Sequence, residues 1–150
     1  MGFTTFEEII KFAVKREDTA YRLYKTAAER AESLAARKMF EEMAAEEAGH
    51  KTSFEKLDLQ QTENYKFTKQ ADMKLAEYMA DMPFKEDMSY PEILRFALKT
   101  EESAYKLYAA AAEMTEDPML KKMLLVLADV EKGHKHRIEA MYDEKVLTEM

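Results

Sequence analysis

The segment Glu47-Ala48-Gly49-His50-Lys51 decides how the rest of this chain is interpreted, because it recurs 84 residues later as Glu131-Lys132-Gly133-His134-Lys135. The flanking residues align as well, and positions 5–57 and 89–141 are identical at 22 of 53 sites. A repeat of this length with helical periodicity in each half predicts a duplicated helical hairpin. We therefore expect four principal helices in a single domain covering residues 1–150.

Length and composition favour an all-α fold and exclude several functions. The chain has 150 residues with three Gly, three Pro and no Cys, which suits one domain but leaves few turn residues for a β-sandwich or barrel. The absence of Cys excludes disulfides and thiolate chemistry. The net charge of -7 argues against binding to nucleic acid or an anionic membrane. Because no signal peptide or membrane-spanning stretch is visible, we expect a cytoplasmic protein.

Capping signals and the repeat together locate the helix ends. The segments Thr5-Phe6-Glu7-Glu8 and Ser89-Tyr90-Pro91-Glu92 both fit a capping box. Asp117 before Pro118 is typical of an N-cap, and the alignment of the two halves assigns the same role to Ser33. These signals predict helices at 6–31, 34–58, 90–114 and 118–143. The short segment 146–150 that follows is expected to leave no room for a fifth helix.

Ionisable residues interrupt the apolar stripe of each predicted helix near its middle. The first and third helices carry one Glu each, and the second and fourth carry Glu-x-x-His: Glu17, Glu47, His50, Glu101, Glu131 and His134. Four buried carboxylates would repel each other and lose their hydration. Two divalent cations would neutralise them, and the i, i+3 spacing lets Glu and His reach the same ion. The stripes therefore predict a two-metal site; the alternative is a polar layer without metal.

The connector between the second and third helices distinguishes between bundle topologies. It spans some 30 residues, far more than a hairpin requires. Residues 69–79 are predicted to form a short helix that Pro83 ends. Two hairpins joined by one long crossover are typical of a ferritin-like four-helix bundle, whereas up-down bundles use short loops throughout. The apolar connector residues are candidates to pack against a neighbouring chain or over the chain's own bundle: Tyr65, Phe67, Leu75, Tyr78 and Met79.

The six ionisable residues match the di-iron ligand pattern of the ferritin-like superfamily, and the chain resembles the rubrerythrin family, particularly its short members without a rubredoxin domain. The resemblance implies two iron ions, with manganese as the other possibility, and a homodimer. It also implies a role for each site residue. Terminal ligands would be Glu17 and Glu101, bridging ligands would be Glu47 and Glu131, and His50 and His134 would each complete one metal.

Two departures from the rubrerythrin pattern limit what the resemblance implies. Rubrerythrins carry an additional carboxylate one turn after the first Glu of the third helix, and here that position is Ala104. A mechanism in which an iron moves between His and that carboxylate is therefore doubtful for this chain. Rubrerythrins also hold a Cys-ligated rubredoxin iron, which a chain without Cys cannot bind. We therefore expect electrons to come from a separate donor protein.

Two tyrosines lie seven residues after the single Glu of the first and third helices. The resemblance implies that Tyr24 and Tyr108 form hydrogen bonds near the ligands and can supply an electron. The alternative is an ordinary core Tyr whose hydroxyl forms a hydrogen bond with some other partner.

Three further ionisable residues lie near the predicted ligands in the sequence. We expect His136 to lie in solvent, and Glu46 and Glu102 to point away from the apolar stripe.

Gly49 and Gly133 each lie in mid-helix between a predicted ligand Glu and its His. Glycine there costs about 1 kcal/mol relative to Ala, so a compensating role is expected. Close approach of a neighbouring helix is one explanation, and room for an exogenous oxygen ligand beside the metals is the other.

Three functions remain open from the sequence. The first is a non-haem di-iron oxidoreductase that reduces peroxide or dioxygen while its irons alternate between ferrous and ferric states. The second is a ferroxidase or iron-storage protein, and the third is a bundle that uses metals only as a structural brace.

Overall fold

The computed structural model describes residues 6–60, 78–79 and 84–149. Within these ranges four helices make up the bundle: α1 is Phe6–Arg30, α2 is Leu34–Gln60, α3 is Tyr90–Met114 and α4 is Pro118–Glu149. The predicted boundaries are confirmed to within two residues, except that α4 continues past residue 143. Residues 146–150 were expected to follow the last helix, and this is wrong for residues 146–149, which belong to α4. The segment contains no Pro or Gly that would end the helix earlier. None of these four helices is long and apolar enough to cross a membrane.

Side-chain caps start three of the helices at the predicted positions. The Ser33 hydroxyl accepts a hydrogen bond of 3.0 Å from the backbone N–H three residues later. Ser89 does the same at 3.3 Å, and its hydroxyl also donates to the Glu92 carboxylate at 2.9 Å. Asp117 accepts at 2.8 Å from the N–H three residues on. The remaining predicted cap, Thr5, lies outside the described residues.

The helices pack as two antiparallel hairpins. Helix α1 packs along α2, and α3 packs along α4, while contacts between α1 and α3 and between α2 and α4 close the bundle. The order around the bundle is therefore α1, α2, α4, α3. The predicted stripes face inward, since the stripe residues of α1 and α3 are all buried: Ile10, Ala13, Glu17, Ala20, Tyr24 and Ala27 of α1, and Leu94, Ala97, Glu101, Ala104, Tyr108 and Ala111 of α3. This confirms the all-α four-helix fold.

The core consists of two apolar clusters separated by the layer of ionisable residues. The first cluster includes Ile10 from the start of α1 and Phe54 from the end of α2, together with residues from the end of α3 and the start of α4. The second cluster includes Leu23, Phe40 and Ile138 from the opposite halves of α1, α2 and α4. Helices α2 and α3 therefore run in the same direction. A connector between them has to run the length of the bundle.

The described part of the connector follows this path. Tyr78 and Met79 form a turn that packs against the first cluster, whereas Phe84 and Met88 pack against the second. The predicted long crossover is thus confirmed, and Tyr78 and Met79 contact the chain's own bundle. The rest of the predicted short helix lies outside the described residues, as do Tyr65, Phe67 and Leu75.

The two mid-helix glycines have open space around them. A Cβ atom built on Gly49 or Gly133 meets no neighbouring atom of the described residues within 4 Å. Gly49 is also exposed. The expectation that close helix approach requires glycine at these positions is therefore wrong.

Candidate metal centre

The six predicted ligand residues come together in the layer between the two apolar clusters. Glu17, Glu47, Glu101 and Glu131 are completely buried, and His134 is 2% exposed. The His50 side chain is 13% exposed and is therefore the part of this set that lies nearest to solvent. The helices bring these residues to one level because each one replaces an apolar residue of an inward-facing stripe.

The six side chains form two overlapping groups of four. One contains Glu17, Glu47, His50 and Glu131, and the other contains Glu47, Glu101, Glu131 and His134. Within each group, one donor atom from every residue lies within 4.8 Å of the others. Glu47 and Glu131 belong to both groups. This arrangement corresponds to the implied assignment of Glu47 and Glu131 as bridging ligands between two ions.

Distances around the two imidazoles are those of donors that could share an ion. His50 Nδ1 lies 3.2 Å from Glu47 Oε1, 3.3 Å from Glu131 Oε1 and 3.5 Å from Glu17 Oε2. Ligands held 2.0–2.2 Å from one ion lie about 3 to 3.5 Å apart. His134 Nδ1 lies slightly farther from its neighbours, at 3.6 Å from Glu47 Oε1 and 3.7 Å from both Glu101 Oε1 and Glu131 Oε1.

Each of the six residues also has one buried polar atom without a hydrogen-bond partner. These atoms are Glu17 Oε2, Glu47 Oε1, His50 Nδ1, Glu101 Oε2, Glu131 Oε1 and His134 Nδ1. Buried polar atoms are normally satisfied, so unsatisfied oxygens and imidazole nitrogens in one layer require an explanation. Carboxylate oxygens and imidazole nitrogens are ligands that divalent iron and manganese both accept. The residues therefore fit a pair of divalent cations.

Two tyrosines cross the bundle to hold the single Glu of the opposite hairpin. Tyr108 of α3 donates a hydrogen bond of 2.6 Å to Glu17 Oε1 of α1. Tyr24 of α1 donates to Glu101 Oε1 of α3. Both hydroxyls are buried, and burial raises the pKa of each well above the usual value for Tyr, so both remain protonated donors. Each bond occupies one oxygen of its carboxylate and leaves the other oxygen free.

Glu46 is a site residue that sequence reasoning missed. It was expected to point away from the site, but its Oε2 lies 2.8 Å from Nε2 of His134, which belongs to the opposite hairpin. A carboxylate on the outer nitrogen holds a proton on Nε2, so Nδ1 is the nitrogen that presents a lone pair to an ion once its own proton has been displaced. The repeat-related position is Val130, which cannot serve His50 in this way. The two imidazoles therefore have different surroundings.

Arg16 is the second site residue that sequence reasoning missed. Its side chain is 6% exposed, and its guanidinium contacts all four carboxylates. Nη1 lies 2.6 Å from Glu47 Oε2 and 3.2 Å from Glu17 Oε1 and also contacts Glu131, while Nη2 lies 2.9 Å from Glu101 Oε1. One signal in the sequence could have found it. In the other half of the internal repeat, Thr100 occupies the position of Arg16. The two halves therefore differ in charge directly before Glu17 and Glu101, which are the same residue in both.

Burial and charge separate the pKa values of the carboxyl groups. Burial raises the pKa of both Glu47 and Glu131 well above the usual value, and nearby carboxylates add to the rise. Burial acts on Glu101 in the same direction. The Arg16 guanidinium and His134 outweigh it and hold the Glu101 pKa at about 2. Protons therefore reside on the two shared carboxyls in preference to Glu101.

The imidazoles also favour their protonated forms. Burial lowers the pKa of His50, but the nearby Glu131 and Glu17 carboxylates outweigh it and raise the pKa to about 10. The pKa of His134 is raised for the same reason, with Glu101 as its main partner. A metal ion binding here would displace protons, since a ligating nitrogen or oxygen has to give up its proton.

The other residues singled out in the sequence lie where they were expected. His136 is exposed. Glu102 forms a surface ion pair of 3.2 Å with Lys106. Ala104 is buried in the first cluster and provides no carboxylate at the position where rubrerythrins have one.

Comparisons with known proteins agree with the four-helix fold. Two solved structures share the fold, each with a TM-score of 0.74. A hypothetical protein of Pyrococcus furiosus is 24% identical, with 96% of this chain and 92% of that chain covered. A candidate ferritin-like diiron-carboxylate protein of Thermotoga maritima is 20% identical, with 97% of this chain and 99% of that chain covered. No curated protein gives a significant match. The family model for rubrerythrin matches residues 8–142, and the chain therefore belongs to the rubrerythrin family.

Proposed function

We propose that this protein is a non-haem di-iron oxidoreductase that reduces peroxide or dioxygen with electrons from an external donor protein. The observation that carries the proposal is the pair of overlapping four-residue groups that share Glu47 and Glu131. Glu47 and Glu131 would hold two ions close together, and two such ions would supply one electron each for a two-electron reduction.

When bound, two iron ions would supply one electron each. These two electrons, together with two protons, would convert hydrogen peroxide into two molecules of water. The chain's own residues prepare the site for this reaction. Tyr108 and Tyr24 hold the Glu17 and Glu101 carboxylates in fixed orientations through their hydroxyls. Glu46 fixes the orientation and tautomer of His134. The complete burial of the four carboxylates keeps bulk water away from them.

The route of the electrons is part of the proposal. The chain contains no Cys with which to hold a rubredoxin iron, so the electrons that restore the reduced state come from another protein. Tyr24 and Tyr108 are proposed to be able to supply an electron beside the terminal ligands, because their hydroxyls contact those carboxylates directly. Ala104 provides no alternative oxygen ligand, and the proposal therefore includes no movement of an iron between His and Glu.

Several finer assignments belong to the same proposal. We assign iron as the metal and keep manganese as the alternative, since this donor set accepts both. The cytoplasmic location and the homodimer are retained from the sequence and the resemblance. Ferroxidase activity or iron storage is the competing function. It needs the same two ions, but the oxidised iron would leave the site and accumulate instead of being reduced again in place.

One experiment separates these functions. The protein is loaded anaerobically with Fe(II), freed of excess metal and mixed with hydrogen peroxide, with reduced rubredoxin as the trial donor. Peroxide-dependent oxidation of the donor at a constant two irons per chain supports the oxidoreductase. Accumulation of many soluble ferric ions per chain supports storage instead. Binding of far fewer than two ions per chain after iron supplementation contradicts both.

A further inference from the structure

The Arg16 guanidinium has no role in the function proposed above, although it is buried and contacts all four carboxylates of the site. Its Nη1 contacts Glu17, Glu47 and Glu131, so two hydrogens face three acceptor oxygens. An arginine keeps its charge at any physiological pH. The cluster therefore includes a permanent positive charge supplied by the chain itself.

Arg16 contacts one oxygen of each shared carboxylate. The other oxygen of each faces the imidazoles, where an ion would bind. The guanidinium contacts the Oε2 atoms of Glu47 and Glu131. Their Oε1 atoms are unsatisfied and face the imidazoles. A carboxylate that bridges two ions through both of its oxygens gives one oxygen to each ion. Bridging of this kind by Glu47 and Glu131 requires the same Oε2 atoms that Arg16 contacts.

The charges of the cluster point to the same conflict. Once metal binding has displaced their protons, the four carboxylates carry four negative charges, and Arg16 with one divalent ion supplies three positive charges. A second divalent ion would raise the total to five and leave the buried cluster with a net positive charge. Charges a few ångströms apart in a water-poor interior interact strongly. The second ion would therefore bind against the repulsion of Arg16.

We propose that Arg16 is an internal counter-cation that competes with the second metal ion. The inference rests on the metal site of the proposed function. Before loading, the guanidinium stabilises the four carboxylates, and it leaves Glu47 and Glu131 as the second ion binds. The long, flexible Arg side chain makes this withdrawal feasible without moving α1. The internal repeat supplies only one such cation, since the other half has Thr100.

The test replaces Arg16 by its repeat counterpart, Thr, and by Lys, which keeps the charge but has fewer N–H donors. Arg137→Thr is the matched control, because Arg137 is exposed on α4 close to the site in sequence. Chelator-treated proteins are titrated with Mn²⁺ by calorimetry, and their thermal unfolding is measured with and without Mn²⁺.

Competition predicts opposite effects on the two measurements for Arg16→Thr. The chelator-treated variant should lose on the order of 10 °C in Tm, because a buried counter-charge is removed. Its second Mn²⁺ ion should bind at least about tenfold more tightly than in the unaltered protein. Arg16→Lys should retain the weak second ion, and Arg137→Thr should change neither measurement. If Arg16→Thr folds only in the presence of Mn²⁺, that result also supports the competition.

A purely structural role for Arg16 predicts a different pattern. A lower Tm of Arg16→Thr together with equal or weaker binding of the second Mn²⁺ would overturn the proposal. Second-ion binding by Arg16→Lys that is as tight as in Arg16→Thr would also overturn it, because charge would not be the cause. If no variant binds Mn²⁺, this inference and the proposed function fail together. If metal loads as described but peroxide is not reduced, only the proposed function fails.

Discussion

The Tyr108 hydroxyl of α3 donates a hydrogen bond of 2.6 Å to Glu17 Oε1 of α1, across the interface between the two hairpins. The repeat-related Tyr24 donates to Glu101 in the opposite direction. Each half of the duplicated sequence thus supplies the tyrosine that fixes the single Glu of the other half. The site is consequently assembled only when both hairpins have packed together.

Removal of the Tyr108 hydroxyl should weaken both the bundle and the reaction. In Tyr108→Phe, the buried Glu17 carboxylate loses a hydrogen-bond donor, which costs about 1.5–3 kcal/mol of unfolding free energy. Urea unfolding measures this loss. If Tyr108 also carries electrons, the iron-loaded variant should keep two irons and reduce peroxide more slowly. Tyr105→Phe is the control, because Tyr105 is only partly buried and packs against Lys135. Equal effects of the two substitutions would contradict the assignment.

Glu47 should be indispensable for binding two ions, because it belongs to both four-residue groups. Elemental analysis of Glu47→Ala after iron loading should find fewer than two ions per chain. His136→Ala should bind as much metal as the unaltered protein, since His136 is exposed. Equal loss of metal from both variants would mean that the inward-facing stripe of α2 or α4 has been assigned wrongly.

Glu46 should strengthen only one of the two metal positions. In Glu46→Gln, the partner of His134 Nε2 loses its charge, and such outer partners typically contribute about 10- to 100-fold to metal affinity. A Mn²⁺ titration should therefore show one weakened ion and one unchanged ion. Glu42→Gln, an exposed position one turn earlier on α2, removes the same charge as a control. Equal weakening of both ions would argue against a specific contact with His134.

The stabilisation conferred by metal should increase with pH. The pKa values of Glu47, Glu131, His50 and His134 are all raised in the folded protein. The stability that these groups contribute to chelator-treated protein is therefore complete below their unfolded pKa values and is lost as pH rises. For His50 that window runs from 6.5 to about 10. Metal displaces the same protons, so its binding strengthens over this window.

Thermal unfolding measures this pH effect directly. The increase in Tm on addition of Mn²⁺ should grow steadily from about pH 6.5 to pH 9. Calorimetry in buffers of different ionisation enthalpy should show protons released on binding. A metal-induced increase in Tm that stays constant or shrinks over this range would refute the prediction.

Alanine should be tolerated at both mid-helix glycines. Since a Cβ at Gly49 or Gly133 meets no described atom within 4 Å, Ala should add about 0.5–1 kcal/mol of stability through its higher helix propensity. Thermal unfolding should show a Tm higher by a few degrees. A lower Tm would mean that helix packing does require glycine. An unchanged metal content with slower peroxide reduction would instead support a role for this open space in admitting the oxidant.

Local sequence patterns predicted the helices and the six residues that come together in the candidate metal site. Capping residues such as Ser33, Ser89 and Asp117 act on the backbone N–H groups three residues away, so their effect can be read from the sequence directly. The inward position of Glu17 and Glu101 follows from helical periodicity for the same reason. The end of α4 was predicted less well, because no Gly or Pro after residue 143 marks the point where the helix stops.

The sequence by itself determined the duplicated hairpin, the crossover and the six residues of the candidate metal site, because each follows from spacing within one helix or from the repeat. Only the tertiary structure decided that Arg16 lies among the carboxylates and that Glu46 contacts His134. Both residues are adjacent to a stripe Glu and lie off the stripe by periodicity. Whether their long side chains reach a residue of the site depends on the rotation and axial offset of neighbouring helices. Those quantities are set by packing between the hairpins, which no spacing within a helix encodes.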